Sequence, residues 1–250
     1  MGERLVSMQI FVLTLFPQLI DSFLKFGIIK KSIAENLIGI KPINIRDFSS
    51  DGYVDDTSYG GGPGMVIKAD PVRLAIESIK LSKTKRNKVL LVSPQGKRLD
   101  DKRIKKLANF DNLILIAGRY EGFDERISHL IDEEVSLCDF VTNGGEIPSL
   151  ALIEGIVRYV PGVLGDVESL ISESFRDSLL DHPHYTKPKS WKGMSVPEVL
   201  TSGNHSAIEK WRREYRLIQT FLKRPDLLVL DMLSETDRTI LDRYFSEINN

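Results

Sequence analysis

Four glycine-containing segments hold the residues whose types and spacing could do chemistry. Tyr59-Gly60-Gly61-Gly62-Pro63-Gly64 follows the acidic pair Asp55-Asp56. Further along come Ser93-Pro94-Gln95-Gly96, Gly118-Arg119-Tyr120-Glu121-Gly122 and Asn143-Gly144-Gly145-Glu146. Glycine and proline at this density give up side-chain packing and cost backbone entropy, so such runs fit no helix or strand interior. They offer bare backbone, N–H and C=O groups that a ligand can reach with no side chain in between. A single segment of this kind is equally well explained as a tight turn. Several at the ends of apolar runs point to a ligand crevice.

Better-known chemical motifs are missing. No segment supplies Gly, four residues and then Gly-Lys-Ser/Thr, so there is no phosphate-binding P-loop. The dinucleotide pattern G-x-G-x-x-G fails because Met65 takes its last position after Gly60 and Gly62. Neither the G-x-S-x-G of a serine hydrolase nor the H-E-x-x-H of a zinc enzyme occurs. His182 and His184 flank Pro183, a spacing that holds a metal only with help from elsewhere in the chain. The one cysteine, Cys138, excludes an internal disulfide and a multi-cysteine metal site, and implies a reducing, cytoplasmic setting. No apolar run approaches the ~18 residues of a membrane span. Residues 1–7 lack the apolar core of a secretory signal, and Met8 is expected as the structural beginning.

The elements that must position these segments follow from periodicity. Apolar runs rich in β-branched residues at 10–15, 89–92 and 113–117 read as strands, and 100–107 and 124–131 read as helices between them. Alternating strands and helices predict an α/β fold with a mostly parallel sheet covered on both faces. Ligands of such sheets bind beyond the carboxyl ends of the strands, where 93–96 and 118–122 fall. A helix with Pro148 at its start is expected over 148–159. Residues 165–195 have weak periodicity and contain Pro183, Pro188 and Gly193, which reads as a linker or ordered loop. Beyond it, Ile208, Trp211, Tyr215, Ile218 and Leu222 form the apolar stripe of an amphipathic helix, with Lys210, Arg213 and Arg216 expected on its solvent side. A last helix is expected over 234–245.

The 250 residues suffice for one large or two smaller domains, and the net charge of −1 conceals an uneven distribution. Residues 80–106 carry eleven bases against two acids and 176–224 ten against five, whereas 226–250 has six acids against two bases. Basic stretches offset by an acidic tail can bind a polyanion; they also serve as ordinary solvated helix faces.

Taken together the segments resemble the TrmD family, the bacterial tRNA (guanine-37-N1)-methyltransferases. The likeness is carried by Leu15-Phe16-Pro17, Arg46-Asp47-Phe48, Val54-Asp55-Asp56 with 59–65, Ser93 to Gly96, and Gly118 to Gly122 with Asp124-Glu125-Arg126. It continues through Ile131-Asp132-Glu133-Glu134, Asn143 to Glu146, Pro161-Gly162-Val163-Leu164-Gly165, Leu179-Leu180-Asp181 with Pro183-His184-Tyr185-Thr186, and Ser202-Gly203-Asn204-His205. It runs from about Met8 to near the C-terminus.

The resemblance implies a deep trefoil knot, a feature that patterning alone would have rejected. It implies a knotted cofactor-binding domain over 8–164, an interdomain linker over 165–194 and a helical tRNA-binding domain over 195–250, acting as a homodimer with shared sites. S-adenosylmethionine is expected among Ser93, Pro94, Gln95, Gly96, Gly118, Arg119, Tyr120, Glu121, Gly122, Leu137, Cys138, Asp139, Phe140, Val141, Thr142, Asn143, Gly144, Gly145 and Pro148. Cys138 stands where glycine is common and Thr142 where leucine is common. The implied catalytic pair is Glu173 as base, where the family commonly has aspartate, and Arg158; Asp177 is the fallback base. Asp55, Gly64, Arg119, Asp181 and His184 are the implied tRNA contacts. Mg²⁺ is implied too, with Glu121 a candidate participant and its ligands unknown. Two rivals remain, a knotted RNA-binding protein without catalysis and a nucleotide hydrolase.

Overall fold

A computed structural model describes residues 8–164 and 173–248. Its central strands are apolar almost throughout because they are covered on both faces. All six positions of β6 (Asn112–Ala117) are buried, and β1 (Met8–Thr14) is buried at five of seven. With β2 (Ile38–Asn44), β5 (Asn87–Arg98) and β7 (Glu133–Ser136) they form one sheet in the order β2-β1-β6-β5-β7, every pairing parallel. The expected α/β class and parallel sheet are therefore present.

Side-chain alternation splits the core into two layers. Ile10, Val12, Leu113 and Leu115 face one cluster, shared with Ile20 of α1 (Pro17–Phe23), Ile29 of α2 (Gly27–Ala34), Leu107 of α4 (Asp101–Leu107) and Leu152, Ile153, Ile156 and Val157 of α5 (Glu146–Val157). Leu13, Ile114 and Ile116 face the other, with Val72 and Ala75 of α3 (Ala69–Ser78) and Ile127. Each fully buried aliphatic side chain stabilises by about 1.5–3 kcal/mol, so these layers hold the sheet rigid behind its loops.

Three local expectations need correction. Residues 124–131 form no α-helix; Glu125–Leu130 is a 3-10 helix, started by the Asp124 carboxylate accepting from Arg126 N–H. The 93–96 segment does not follow a strand but interrupts one. β5 pairs with β7 at Leu90–Val92 and again at Lys97–Arg98, and the chain bulges out in between. The third helix expectation starts two residues late, since α5 begins at Glu146 and takes Pro148 into its first turn, where no intrahelical N–H is needed.

By internal contacts the chain divides into two compact units, Met1–Gly165 and Asp166–Asn250. The second holds a small hairpin of β8 (Ser190–Trp191) and β9 (Met194–Ser195), then α6 (His205–Lys223) and α7 (Glu235–Ile248). Asn204 caps α6, its side chain accepting from Ala207 N–H at 3.1 Å. The buried face of α6 differs from the expected stripe: Arg216, Leu217 and Thr220 are buried, whereas Leu222 is exposed. Thr220 is tolerated there because its hydroxyl donates to the Arg216 carbonyl and accepts from Leu180 N–H. Arg216 is tolerated because it donates to the Leu180 carbonyl and to both oxygens of Asp177. The expected outer positive face is accordingly reduced, since Arg213 is held by Asp177 and Asp237.

Asp237 joins α6 to α7. It accepts from Arg213 Nε and Nη2 at 2.9 and 2.8 Å and from Ser234 N–H at 3.0 Å, while Ser234 Oγ accepts Asp237 N–H in return, a capping box. The hydrogen bonds from Arg213 come first among the causes that hold its carboxyl at about 2, below the ordinary 3.8. A carboxyl depressed on folding stabilises above its unfolded value, and that stabilisation is lost as pH falls through the folded one. D237N is expected to cost about 1 kcal/mol at neutral pH, the typical value of a lost cap, because the half-exposed Arg213 is screened by solvent. In thermal melts the gap between D237N and the parent should narrow as pH falls from about 4 towards 2; a gap constant with pH would refute this role.

Candidate functional site

β5, β6 and β7 are adjacent and parallel, so the segments at their carboxyl ends emerge on one edge of the sheet. Two of the glycines there are required by close approach. A Cβ on Gly145 would lie 2.8 Å from Ala117 Cα and 2.9 Å from Gly118 N, and one on Gly96 would lie 2.3 Å from Val135 N. Backbone thus meets backbone: Gly145 N–H donates to the Gly118 carbonyl at 2.8 Å, joining the 137–145 loop to the 118–122 loop.

These loops and 93–96 enclose a cleft of about 360 Å³. Ser93, Pro94, Gln95, all of 118–122, Leu137, Cys138, Phe140 to Gly145 and Pro148 line it. Gly96 does not, because it packs on the β7 backbone, and Asp139 turns outward to Arg98 at 3.1 Å. The two positions that depart from the family pattern each make a local hydrogen bond. The Thr142 hydroxyl donates to the Gly144 carbonyl at 2.8 Å, and Cys138 uses its backbone carbonyl to accept from Ser136 Oγ at 3.0 Å. The wall also contains Asp124, Glu125, Ile131 and Glu134, residues that sequence reading tied to the family likeness without giving them a place in the site.

The charge of the wall narrows what it can hold. Glu121, Asp124, Glu125 and Glu134 line it against a single guanidinium, Arg119. Such a cleft favours a ligand with cationic character and repels a polyphosphate, which argues against a nucleotide hydrolase. Arg126 hydrogen-bonds Asp124 and holds its carboxyl at about 2, so that group stays ionised.

Arg119 is fixed by a residue that sequence reading treated only as the end of a turn. Glu146 is fully buried at the first position of α5, where the positive end of the helix dipole favours a carboxylate. Its Oε1 accepts from Thr14 Oγ1 at 2.7 Å and its Oε2 from Arg119 Nε at 2.9 Å. The Arg119 guanidinium also lies over the Phe16 ring, 4.5 Å from its centroid. No local spacing connects Thr14, Arg119 and Glu146; only the parallel sheet brings them together.

Other site candidates lie elsewhere. Asp55 is in β3 (Asp55–Asp56), paired with β4 (Val66–Ile67), and the glycine-rich 59–64 segment is the exposed loop of that hairpin. Glu121 N–H donates to the Met65 carbonyl at 3.0 Å, and Gly64 packs against the Glu121 side chain, so this hairpin is fastened to the cleft wall. Arg158 caps the C-terminal end of α5 and does not line the cleft, which meets that helix at its first turn. Twelve residues of helix span ~18 Å.

Glu173, Asp177, Asp181 and His184 belong to the second unit. Asp177 has both carboxylate oxygens engaged by Arg213 and Arg216, which removes it as a free proton acceptor. Burial raises the Asp181 carboxyl, but hydrogen bonds from His184 and from His182 N–H outweigh it and leave a net lowering.

Removing the buried carboxylate should expose how much the loops depend on it. E146A leaves the Thr14 hydroxyl and Arg119 Nε without their acceptor. The expected loss is about 3 kcal/mol in urea unfolding, the lower end for a broken buried pair because Arg119 is partly solvated. E146Q, which keeps an acceptor, should lose less. Equal stability of E146A and the parent would contradict the role given to Glu146.

A family model described as tRNA (Guanine-1)-methyltransferase TrmD matches residues 8–229. A tRNA (guanine-N(1)-)-methyltransferase of Thermosipho africanus is 44% identical over 245 residues, 97% of this chain and 99% of the relative. Similarly named proteins of Methylococcus capsulatus and Staphylococcus aureus (strain Newman) are 45% and 43% identical over 243 and 240 residues, in each case at least 95% of this chain and 97% of the relative. The cleft of glycine loops beyond a parallel sheet thus occurs in a chain that belongs to the TrmD family of tRNA (guanine-N1)-methyltransferases.

Proposed function

We propose that this protein is an enzyme that transfers a methyl group from S-adenosylmethionine to N1 of guanosine 37 in the anticodon loop of tRNA. The observation that carries the reading is the acidic, glycine-walled cleft, in a chain that matches methyltransferases of this name along nearly its whole length. Backbone left bare at Gly118 and Gly144 lets an adenine edge and a ribose approach, Leu137 and Pro148 offer apolar contact, and the carboxylates suit a sulfonium cation. S-adenosylmethionine supplies an electrophilic methyl group when bound.

The chain's own residues then have to make the base reactive. N1 of guanine carries a hydrogen at neutral pH and is a poor nucleophile until it leaves. Glu173 takes that proton, and Arg158 stabilises the negative charge that moves to O6. The freed N1 lone pair forms the new N–C bond as the S–C bond breaks, and its electrons go to sulfur, leaving S-adenosylhomocysteine. Glu173 carries one methylene more than aspartate, which moves its oxygens by on the order of 1 Å, a shift that can cost ~100-fold without backbone compensation.

A homodimer with shared sites belongs to this reading. It is supported by the position of Arg158 at the far end of α5 from the cleft, since a second copy can bring such a residue to the cofactor. A trefoil knot also belongs to it, supported by the return of the 137–145 loop from β7 past β5 to the end of β6, where Gly145 seats against Gly118. Asp55, Gly64 and Arg119, with Asp181 and His184, contact tRNA in this reading, and the 8–164, 165–194 and 195–250 division assigns cofactor binding, linkage and tRNA binding in that order. Mg²⁺ belongs to this reading too; it commonly keeps several waters and takes only one or two carboxylates, among the described residues no three carboxylates converge, and no step is assigned to it. No helix among the described residues is long and apolar enough to cross a membrane, which accords with a cytoplasmic enzyme.

The test is transfer of labelled methyl to a tRNA transcript with guanosine at 36 and 37, beside a transcript with adenosine at 37. Label is expected only in the first, and E173A should lower kcat by ~10²- to 10⁴-fold with tRNA binding retained. Binding without any label by the parent protein would instead support a knotted RNA-binding protein that does no chemistry.

A further inference from the structure

The second unit holds a cluster of metal-ligating side chains that the methyl-transfer chemistry does not use. Asp181, His182 and His184 each present one donor atom within 4.8 Å of the others. His182 is oriented as metal-bound imidazoles are. Its Nδ1 lies 3.2 Å from the Pro183 carbonyl oxygen, and an N–H donated there leaves the lone pair on Nε2. That Nε2 faces Asp181 Oδ1 at 3.8 Å, with the His182 side chain only 8% exposed.

A separation of 3.8 Å is too long for a hydrogen bond, yet close to the roughly 3.3 Å between two ligands sharing one tetrahedral ion at 2.0–2.1 Å. His184 Nε2 completes the triangle, 3.1 Å from Asp181 Oδ2; an ion entering there displaces the proton of that hydrogen bond, and the 70% exposure of His184 gives it a way in. On the side of His182 the half-buried Trp211 ring packs 6.2 Å from the imidazole.

We propose that Asp181, His182 and His184 bind one borderline divalent cation, Zn²⁺ or a metal of similar preference such as Co²⁺, with water in the fourth position. Two imidazoles with one carboxylate select such metals over Mg²⁺, which takes oxygen donors, so this site is separate from the Mg²⁺ requirement implied for methyl transfer. Binding itself does not rest on the tRNA reading. Its consequence does: an ion here withdraws Asp181 and His184 from RNA, making methylation sensitive to zinc.

The full chain, without an affinity tag and stripped with a chelator, is titrated with Co²⁺ in excess Mg²⁺ and followed by visible absorption. Zn²⁺ is then titrated against a chromophoric chelator. One equivalent of Co²⁺ with the strong absorption of a tetrahedral site is expected, displaced by Zn²⁺. H182Q and H184Q should each weaken binding by more than the ~10- to 100-fold that loss of a supporting hydrogen bond costs. X-ray absorption at the zinc edge of the loaded parent protein should show two imidazoles, which keeps the test independent of how the variants fold. No metal bound in excess Mg²⁺, affinity unchanged in either variant, or fewer than two imidazoles would overturn the site.

Discussion

The hydrogen bond from Gly145 N–H to the Gly118 carbonyl requires two loops, far apart in sequence, to touch through their backbones. That contact limits everything around it. A side chain at Gly145 would run into the Ala117 backbone, and the loops could no longer close over the cleft. The parallel sheet makes the contact possible because β5, β6 and β7 end on the same edge with their registers fixed by buried side chains. Glu146, next in the chain, secures it from beneath, since its carboxylate holds a hydroxyl of β1 and the guanidinium of the 118–122 loop together. A buried charge tolerated in this way is fully hydrogen-bonded, as the cost of desolvation demands.

The central strands were legible because a strand buried on both faces has to be apolar along its length. Residues 113–117 and 10–15 show that pattern without interruption. β2 was harder to see, for Pro42 lies within it. An edge strand tolerates proline because one side of its backbone has no partner, and β2 pairs only with β1. The 3-10 helix at Glu125–Leu130 shares its apolar spacing with an α-helix, so periodicity could not separate the two.

Helix α6 shows why amphipathicity alone misplaces a face. Its apolar stripe through Ile208, Trp211, Tyr215, Ile218 and Leu222 is real as a pattern, yet the most buried positions are Arg216, Leu217 and Thr220. Polar side chains went inside because each found partners, Arg216 at Asp177 and Leu180 and Thr220 at Leu180. Trp211 and Tyr215 pack on each other with centroids 4.3 Å apart. At the site, the glycine loops were visible as composition and the family likeness supplied their use. The Thr14, Arg119 and Glu146 network was not visible, because its members meet only through the fold, and Glu146 looked like the end of a turn. Arg158 was legible as the end of the helix expected over 148–159, and the structure adds that the cleft meets only the first turn of that helix.

Amide hydrogen exchange with and without S-adenosylmethionine would test most directly whether the glycine loops form one cofactor site. Binding across the cleft should slow exchange together in 93–96, 118–122 and 137–145, with the 59–64 loop much less affected. Protection confined to one loop, or found outside all three, would contradict a cofactor site built on the contact between Gly145 and Gly118.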